Sequence, residues 1–151
     1  ELQKLNPDGS MPEVKNLSDP AEAKVMSETG IDMLAVGIGN AHGFYKEAPN
    51  IRFDLLEKLA AASKVPLVLH GSTGLADDVI RKCVSMGMAK ANLGTLIRTR
   101  FVQLTQQVIA ENKHGNHPWK VGQAVKDLLK TDIRHMLQIT GGAGRAKDLS
   151  L

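Results

Sequence analysis

The chain has a single cysteine, Cys83, so no internal disulfide can form; this agrees with a reducing compartment, although many secreted proteins would show the same count. Aromatic residues make up only 3% of the chain, too few to build the base-stacking platforms of single-strand nucleic-acid binders. No apolar stretch approaches the roughly 20 residues that a spanning helix needs. The N-terminal residues carry no basic head, apolar run and small-residue cleavage site. No block of one charge is present either: the formal balance is +3, with Lys and Arg scattered among Asp and Glu through 47–64 and 113–147. The expectation is a cytoplasmic protein with neither a nucleic acid nor a membrane as partner. The slight positive balance is equally compatible with a small phosphorylated substrate.

What is present is a core-forming composition, 42% hydrophobic and 23% charged, over a length that suits one domain. The apolar run Val65-Pro66-Leu67-Val68-Leu69 stops at His70-Gly71-Ser72-Thr73-Gly74. One unit upstream, Met33-Leu34-Ala35-Val36-Gly37-Ile38 runs into Gly39-Asn40-Ala41-His42-Gly43. A third candidate strand, Ala89-Lys90-Ala91-Asn92, delivers Asn92-Leu93-Gly94-Thr95 directly into a helix. Each strand end carries a polar group beside a glycine, and strand ends of this kind are where α/β enzymes keep their chemistry.

Between the strands the pattern turns helical. Ser18 or Asp19 can cap a helix whose first turn is Pro20-Ala21-Glu22 and which ends near Gly30. A second helix runs from about Arg52 to Ser63 with Leu55, Leu56 and Leu59 on one face. Asp77-Asp78 open a short helix ending near Gly87, and a longer one from about Leu96 to Asn112 shows Val102, Leu104, Val108 and Ile109 as a broad apolar side. After the break at His114-Gly115-Asn116-His117-Pro118, Val121, Val125, Leu128 and Leu129 read as another amphipathic helix. Strands alternating with helices imply a parallel sheet. Three or four such units are either a small open α/β domain or about half of a (β/α)₈ barrel. With Glu1 standing where a full chain would carry methionine, the expectation is a fragment, a processed product or a numbering that covers only part of the protein.

Read together, Leu34–Gly43, Val68–Gly74 and Ala89–Thr95 resemble three successive strand ends of the class II, metal-dependent fructose-bisphosphate aldolase family, including its tagatose-bisphosphate branch. The resemblance covers nearly the whole chain. It implies that residues 1–151 are the C-terminal portion of a single parallel (β/α)₈ TIM barrel, with 1–17 as a mobile active-site loop. It implies zinc as cofactor, with a monovalent cation as a further candidate, and His42 and His70 as zinc ligands, Glu1 binding a metal in an alternative position. Asn92 would hold the substrate near its reacting carbon, and Gly43, Gly71, Ser72, Thr73, Leu93, Gly94 and Thr95 would surround the substrate and its phosphate. The reaction implied is reversible cleavage of a ketose 1,6-bisphosphate to dihydroxyacetone phosphate and glyceraldehyde 3-phosphate through a zinc-stabilised enediolate. Sugar phosphates would be the ligands, and a homodimer or homotetramer the assembly.

The departures keep alternatives open. The family's remaining zinc histidine and its catalytic aspartate belong to an earlier strand outside this chain, and two histidines alone are an incomplete catalytic zinc site. Asp8 and Glu13 are the candidates for the loop acid/base. Gly94 stands where relatives carry Asn, Asp or Ala. A non-catalytic sugar-phosphate or metal-binding relative is therefore the rival reading, and another zinc or phosphate-binding barrel enzyme a third. His114 and His117 read as a solvated loop, His135 as a helix-surface residue, Cys83 as a small core residue, and Gly141-Gly142-Ala143-Gly144 as a glycine turn.

Overall fold

The computed structural model describes residues 4–10 and 17–148. They fall into two compact units, Glu1–Leu93 and Gly94–Leu151, each taken by itself below.

The first unit is built from α1 (Pro20–Ser27), β1 (Leu34–Ala35), α2 (Phe53–Ala62), β2 (Leu67–Leu69), α3 (Asp77–Ser85) and β3 (Met88–Ala91). The expected alternation of helix and strand produces a three-stranded parallel sheet in the order β1-β2-β3. Of the two candidates for the α1 cap it is Asp19 that serves: its Oδ1 accepts from the amides of Ala21 (2.8 Å) and Glu22 (3.1 Å), with Pro20 just inside the helix. Ser18 has a different task. Its hydroxyl accepts from Gly37 N–H at 2.8 Å and its own N–H donates to the Gly37 carbonyl at 3.0 Å.

That pairing explains why β1 is shorter than the 33–38 the sequence predicts. Parallel ladders need a strand alongside, and β1 meets β2 only through Leu34↔Leu67 and Ala35↔Val68. Beyond that, Gly37 is bound by Ser18, the Ile38 N–H by the Asn40 side chain, and the Ile38 carbonyl by Arg52 N–H. Val36 and Ile38 stay buried, so the apolar pattern is honoured while the ladder is not. In the centre, Leu67, Val68 and Leu69 are all buried, as a strand covered on both faces requires. The β2–β3 register slips between Leu67 and Val68, so that Leu67 faces Met88 but Val68 faces Lys90, a β-bulge that leaves Ala89 as the extra residue.

Leu56 and Leu59 of α2 and Ile80 and Cys83 of α3 complete this core. Leu55, expected beside them, is only half-buried. Burial pushes the Cys83 thiol up to about 11, so it is a packed neutral group and no nucleophile.

The second unit holds α4 (Gly94–Ala110) and α5 (Pro118–Ile139), followed by a 3₁₀ turn at Arg145–Asp148. Leu104 and Val108 of α4 pack with Val125 of α5, flanked by Val121, Ala124 and Leu129. Here three sequence expectations are corrected. Val102 and Ile109 are 55% and 60% exposed: at about 100° per residue they lie roughly 140–160° round the helix from Leu104, so they cannot share its buried stripe. Leu128 is likewise exposed. The helix predicted around 121–129 runs much further, to Ile139, with Met136 and Ile139 buried. No helix among the described residues is long and apolar enough to cross a membrane.

Leu59 has no exposed surface, so Leu59→Ala should cost about 2–5 kcal/mol of unfolding free energy. Urea denaturation followed by circular dichroism checks this, and a change below 0.5 kcal/mol, roughly the ceiling for surface substitutions, would contradict the assignment of that face to the core.

Candidate active site at the strand ends

The three strands hand over to loops on one edge of the first unit, and these loops are tied together by side chains. Asn40, 6% exposed, uses both ends of its amide: Oδ1 accepts from Ile38 N–H at 3.0 Å, and Nδ2 donates to the His70 carbonyl at 2.5 Å. The Tyr45 hydroxyl accepts from Ala41 N–H at 2.9 Å and stands 2.8 Å from the carbonyls of both Ala41 and Gly71, to one of which it donates. Burial pushes the Tyr45 phenol up from its ordinary value, keeping that proton in place. Ala41 precedes one histidine and Gly71 follows the other, so one hydroxyl spans the two histidine-bearing loops.

The loops approach at backbone distance. Gly71 has φ +58°, and a Cβ there would lie 2.2 Å from the Ala41 carbonyl oxygen. Only glycine fits, for both the conformation and the space. The His42 carbonyl is in turn held by Leu5 N–H at 2.9 Å, within a parallel bridge between Lys4 and His42.

As a result the rings of His42 and His70 come together with centroids 5.5 Å apart and planes 88° apart. Two imidazoles sharing a tetrahedral metal at about 2.0–2.1 Å hold their centroids roughly 5 Å apart, so this pair suits two adjacent positions of a zinc coordination shell. Burial, the nearby His42 and the Lys90 charge each lower the His70 pKa. The ring is then neutral near pH 7, the state in which imidazole ligates. Among the described residues no third His, Cys, Asp or Glu joins the pair. Glu1 and Glu13 lie outside the described residues.

Asn92 meets the same edge. Its N–H donates to the Leu69 carbonyl at 2.9 Å, and its carbonyl accepts from the Ser72 hydroxyl at 2.8 Å. Its Nδ2 lies 3.0 Å from His70 Nε2, while its Oδ1 accepts from the Lys90 ammonium. Ser72 is 1% exposed and its hydroxyl serves this link, which makes it a brace for Asn92 as the site stands. Thr73 is buried next to it, Leu93 is half-buried, and Gly43 (φ +129°) sits against the Leu5 side chain. Gly94 and Thr95 are the first residues of α4 and belong to the second unit.

Asp8 caps its own turn: its carboxylate accepts from the Ser10 amide (2.9 Å) and hydroxyl (2.6 Å), which holds its pKa below the usual carboxylate value. His114 and His117 lie in the turn before α5, where the His117 ring packs on Trp119 at 4.6 Å; His135 is on the exposed side of α5.

Residues 2–145 match the family model of class II fructose-bisphosphate aldolase. The chain belongs to that family. Among solved structures it is similar to the YdjI aldolase from Escherichia coli K12, with 31% identity over 87% of this chain and 48% of that one, at a TM-score of 0.73. Two more distant likenesses show the fold alone. One is a Coccidioides immitis protein assigned as a fructose-1,6-biphosphate aldolase, at 22% identity, 99% and 52% coverage and TM-score 0.76. The other is the fructose-bisphosphate aldolase from Campylobacter jejuni, at 17% identity, 85% and 46% coverage and TM-score 0.69. The chain spans about half the length of the structures it matches.

Asn40, Tyr45 and Lys90 were not among the residues that the sequence pattern singles out, yet they organise the aldolase-family edge. One signal was available: Tyr45 is the only tyrosine of the chain and follows His42 by three residues. Tyr45→Phe should cost about 1–3 kcal/mol, because it strands buried backbone groups beside both histidines. Gly71→Ala should cost more, since backbone must move. Chemical denaturation of both variants checks the order; a neutral Gly71→Ala would contradict the close approach.

Proposed function

We propose that the protein to which this chain belongs is a metal-dependent aldolase that reversibly cleaves a ketose 1,6-bisphosphate, fructose or tagatose, to dihydroxyacetone phosphate and glyceraldehyde 3-phosphate. The observation that carries the reading is the His42–His70 pair, set edge to face at 5.5 Å on the strand ends of a class II aldolase-family chain. In this reading the three strands are part of a (β/α)₈ barrel of which this chain supplies the C-terminal half, and the protein is a cytoplasmic homodimer or homotetramer.

In the forward direction the C3–C4 bond of the ketose breaks as the C4 hydroxyl loses its proton. The electron pair stays on C3, conjugated with the C2 carbonyl, until C3 is protonated. Zinc, when bound, supplies the Lewis acidity that makes this charge tolerable. His42 and His70 would hold it, and burial, which lowers the His70 pKa, favours the neutral ring that ligates. Asn92 stands next to His70, with its main chain braced by Leu69 and Ser72, and would orient the ketose oxygens. Gly43, Gly71 and Thr73 would receive a phosphate through backbone amides and a hydroxyl, with a monovalent cation beside it. The base for the C4 hydroxyl is assigned to the upstream part of the barrel.

Zinc-dependent cleavage of fructose and tagatose 1,6-bisphosphates by the complete natural polypeptide tests this. Chelation and His70→Ala should each lower turnover by about 10²-fold or more, and zinc should restore the chelated sample but not the variant. Zinc-loaded protein that binds dihydroxyacetone phosphate and cleaves neither sugar would overturn the proposal in favour of a binding protein.

A further inference from the structure

The two histidine-bearing loops are joined at two points that straddle His42. Two residues before it, Asn40 Nδ2 donates to the His70 carbonyl at 2.5 Å. Three residues after it, the Tyr45 hydroxyl stands 2.8 Å from the Gly71 carbonyl while accepting from Ala41 N–H at 2.9 Å. Successive carbonyls of the second loop, those of His70 and Gly71, are thus each met by a side chain of the first. The first loop is itself a firm base. Its Ile38 carbonyl accepts from Arg52 N–H, and Asn40 Oδ1 accepts from Ile38 N–H. Gly39 passes so close to Asn50 that a Cβ would lie 2.3 Å from the Asn50 carbonyl oxygen.

We propose that Tyr45 and Asn40 are positioning residues that hold the His42 and His70 rings at the separation a shared metal requires, so that metal affinity depends on both although neither is a ligand. A hydroxyl has one proton and two lone pairs. With Ala41 N–H on one lone pair, the Tyr45 proton goes to the carbonyl of Ala41 or of Gly71, each at 2.8 Å. In either state the phenol oxygen fills the point where the loops cross. Without it the Ala41 N–H and the Gly71 carbonyl lose a partner, and the loops must part to admit water. The rings stand 5.5 Å apart, close to the roughly 5 Å of two imidazoles on one tetrahedral metal. A cation then meets ligands already gathered, and little ordering is left to offset its binding. Positioning of this kind rests on the aldolase reading of the two histidines as ligands, and metal affinity, read without turnover, separates the two.

The measurements are zinc affinity of the natural polypeptide by competition with a chromophoric chelator, and the visible bands of its cobalt(II)-loaded form, whose intensity reports coordination geometry. Tyr45→Phe removes one oxygen and keeps the ring; Asn40→Ala removes the other tie. Each, at a temperature where circular dichroism shows it fully folded, should bind zinc about 10–100-fold more weakly than the wild type and show altered cobalt bands. Ile80→Val, which loses one methyl group from the buried face of α3, lowers stability without touching either tie and should keep the wild-type affinity and bands. Wild-type zinc affinity and cobalt bands in Tyr45→Phe or Asn40→Ala would overturn the proposal, and would leave the aldolase reading standing where His70→Ala abolishes binding. An equal loss of affinity in Ile80→Val would also overturn it, since lowered stability would then account for the effect. Zinc uptake that His70→Ala does not disturb would overturn both.

Discussion

Everything at this site depends on one close approach, where the backbone after β2 passes the backbone after β1 with Gly71 against the Ala41 carbonyl. A side chain at that point would separate the two loops and with them His42 and His70. With glycine there, the loops come near enough for one hydroxyl, that of Tyr45, to reach groups on both, and for Asn40 to reach from one to the other. The histidine pair is thus a consequence of backbone packing and not of any attraction between two imidazoles, which would repel each other when protonated.

This arrangement also settles how a very short sheet supports a site. Strands of two to four residues give few ladder hydrogen bonds, and the polar groups past their ends would be costly if left unpaired in partly buried loops. Side chains take over: Ser18 at Gly37, Asn40 at Ile38 and His70, Ser72 at Asn92. Each bond satisfies a backbone group and also fixes a loop that carries a candidate site residue. Stability and site geometry are therefore coupled, and a loss at a brace is felt at the rings.

The ends of β2 and β3 were legible in the sequence to within a residue, because apolar runs that stop at glycine and a polar residue have few other readings. Helix α2 followed from periodicity, α3 from its acidic start and the glycine at its end, and only the first half of α5 from the spacing of Val121, Val125 and Leu129. The α4 stripe was not legible, since apolar residues occur all round that helix and only packing against α5 decides that Leu104 and Val108 are inside while Val102 and Ile109 are out. The length of β1 was hidden for a similar reason: Val36 and Ile38 have the right composition, but a ladder depends on a neighbour that local pattern cannot supply. His42, His70 and Asn92, which the structure brings to one edge, were picked out one by one as candidates. Their braces were not, because Asn40 and Tyr45 act on partners 30 and 26 residues away, and nothing in a short window distinguishes a bracing asparagine from a turn asparagine. Lys90 looked like an ordinary strand-edge lysine until its partner was visible.

The central claim is that two strand ends present His42 and His70 as one metal-binding edge. The most direct measurement is anomalous diffraction at the zinc edge from crystals of the natural polypeptide grown with zinc. The account predicts a strong peak within bonding distance of both rings. A zinc ion bound elsewhere, at the His114–His117 turn for example, with no density between His42 and His70, would contradict it.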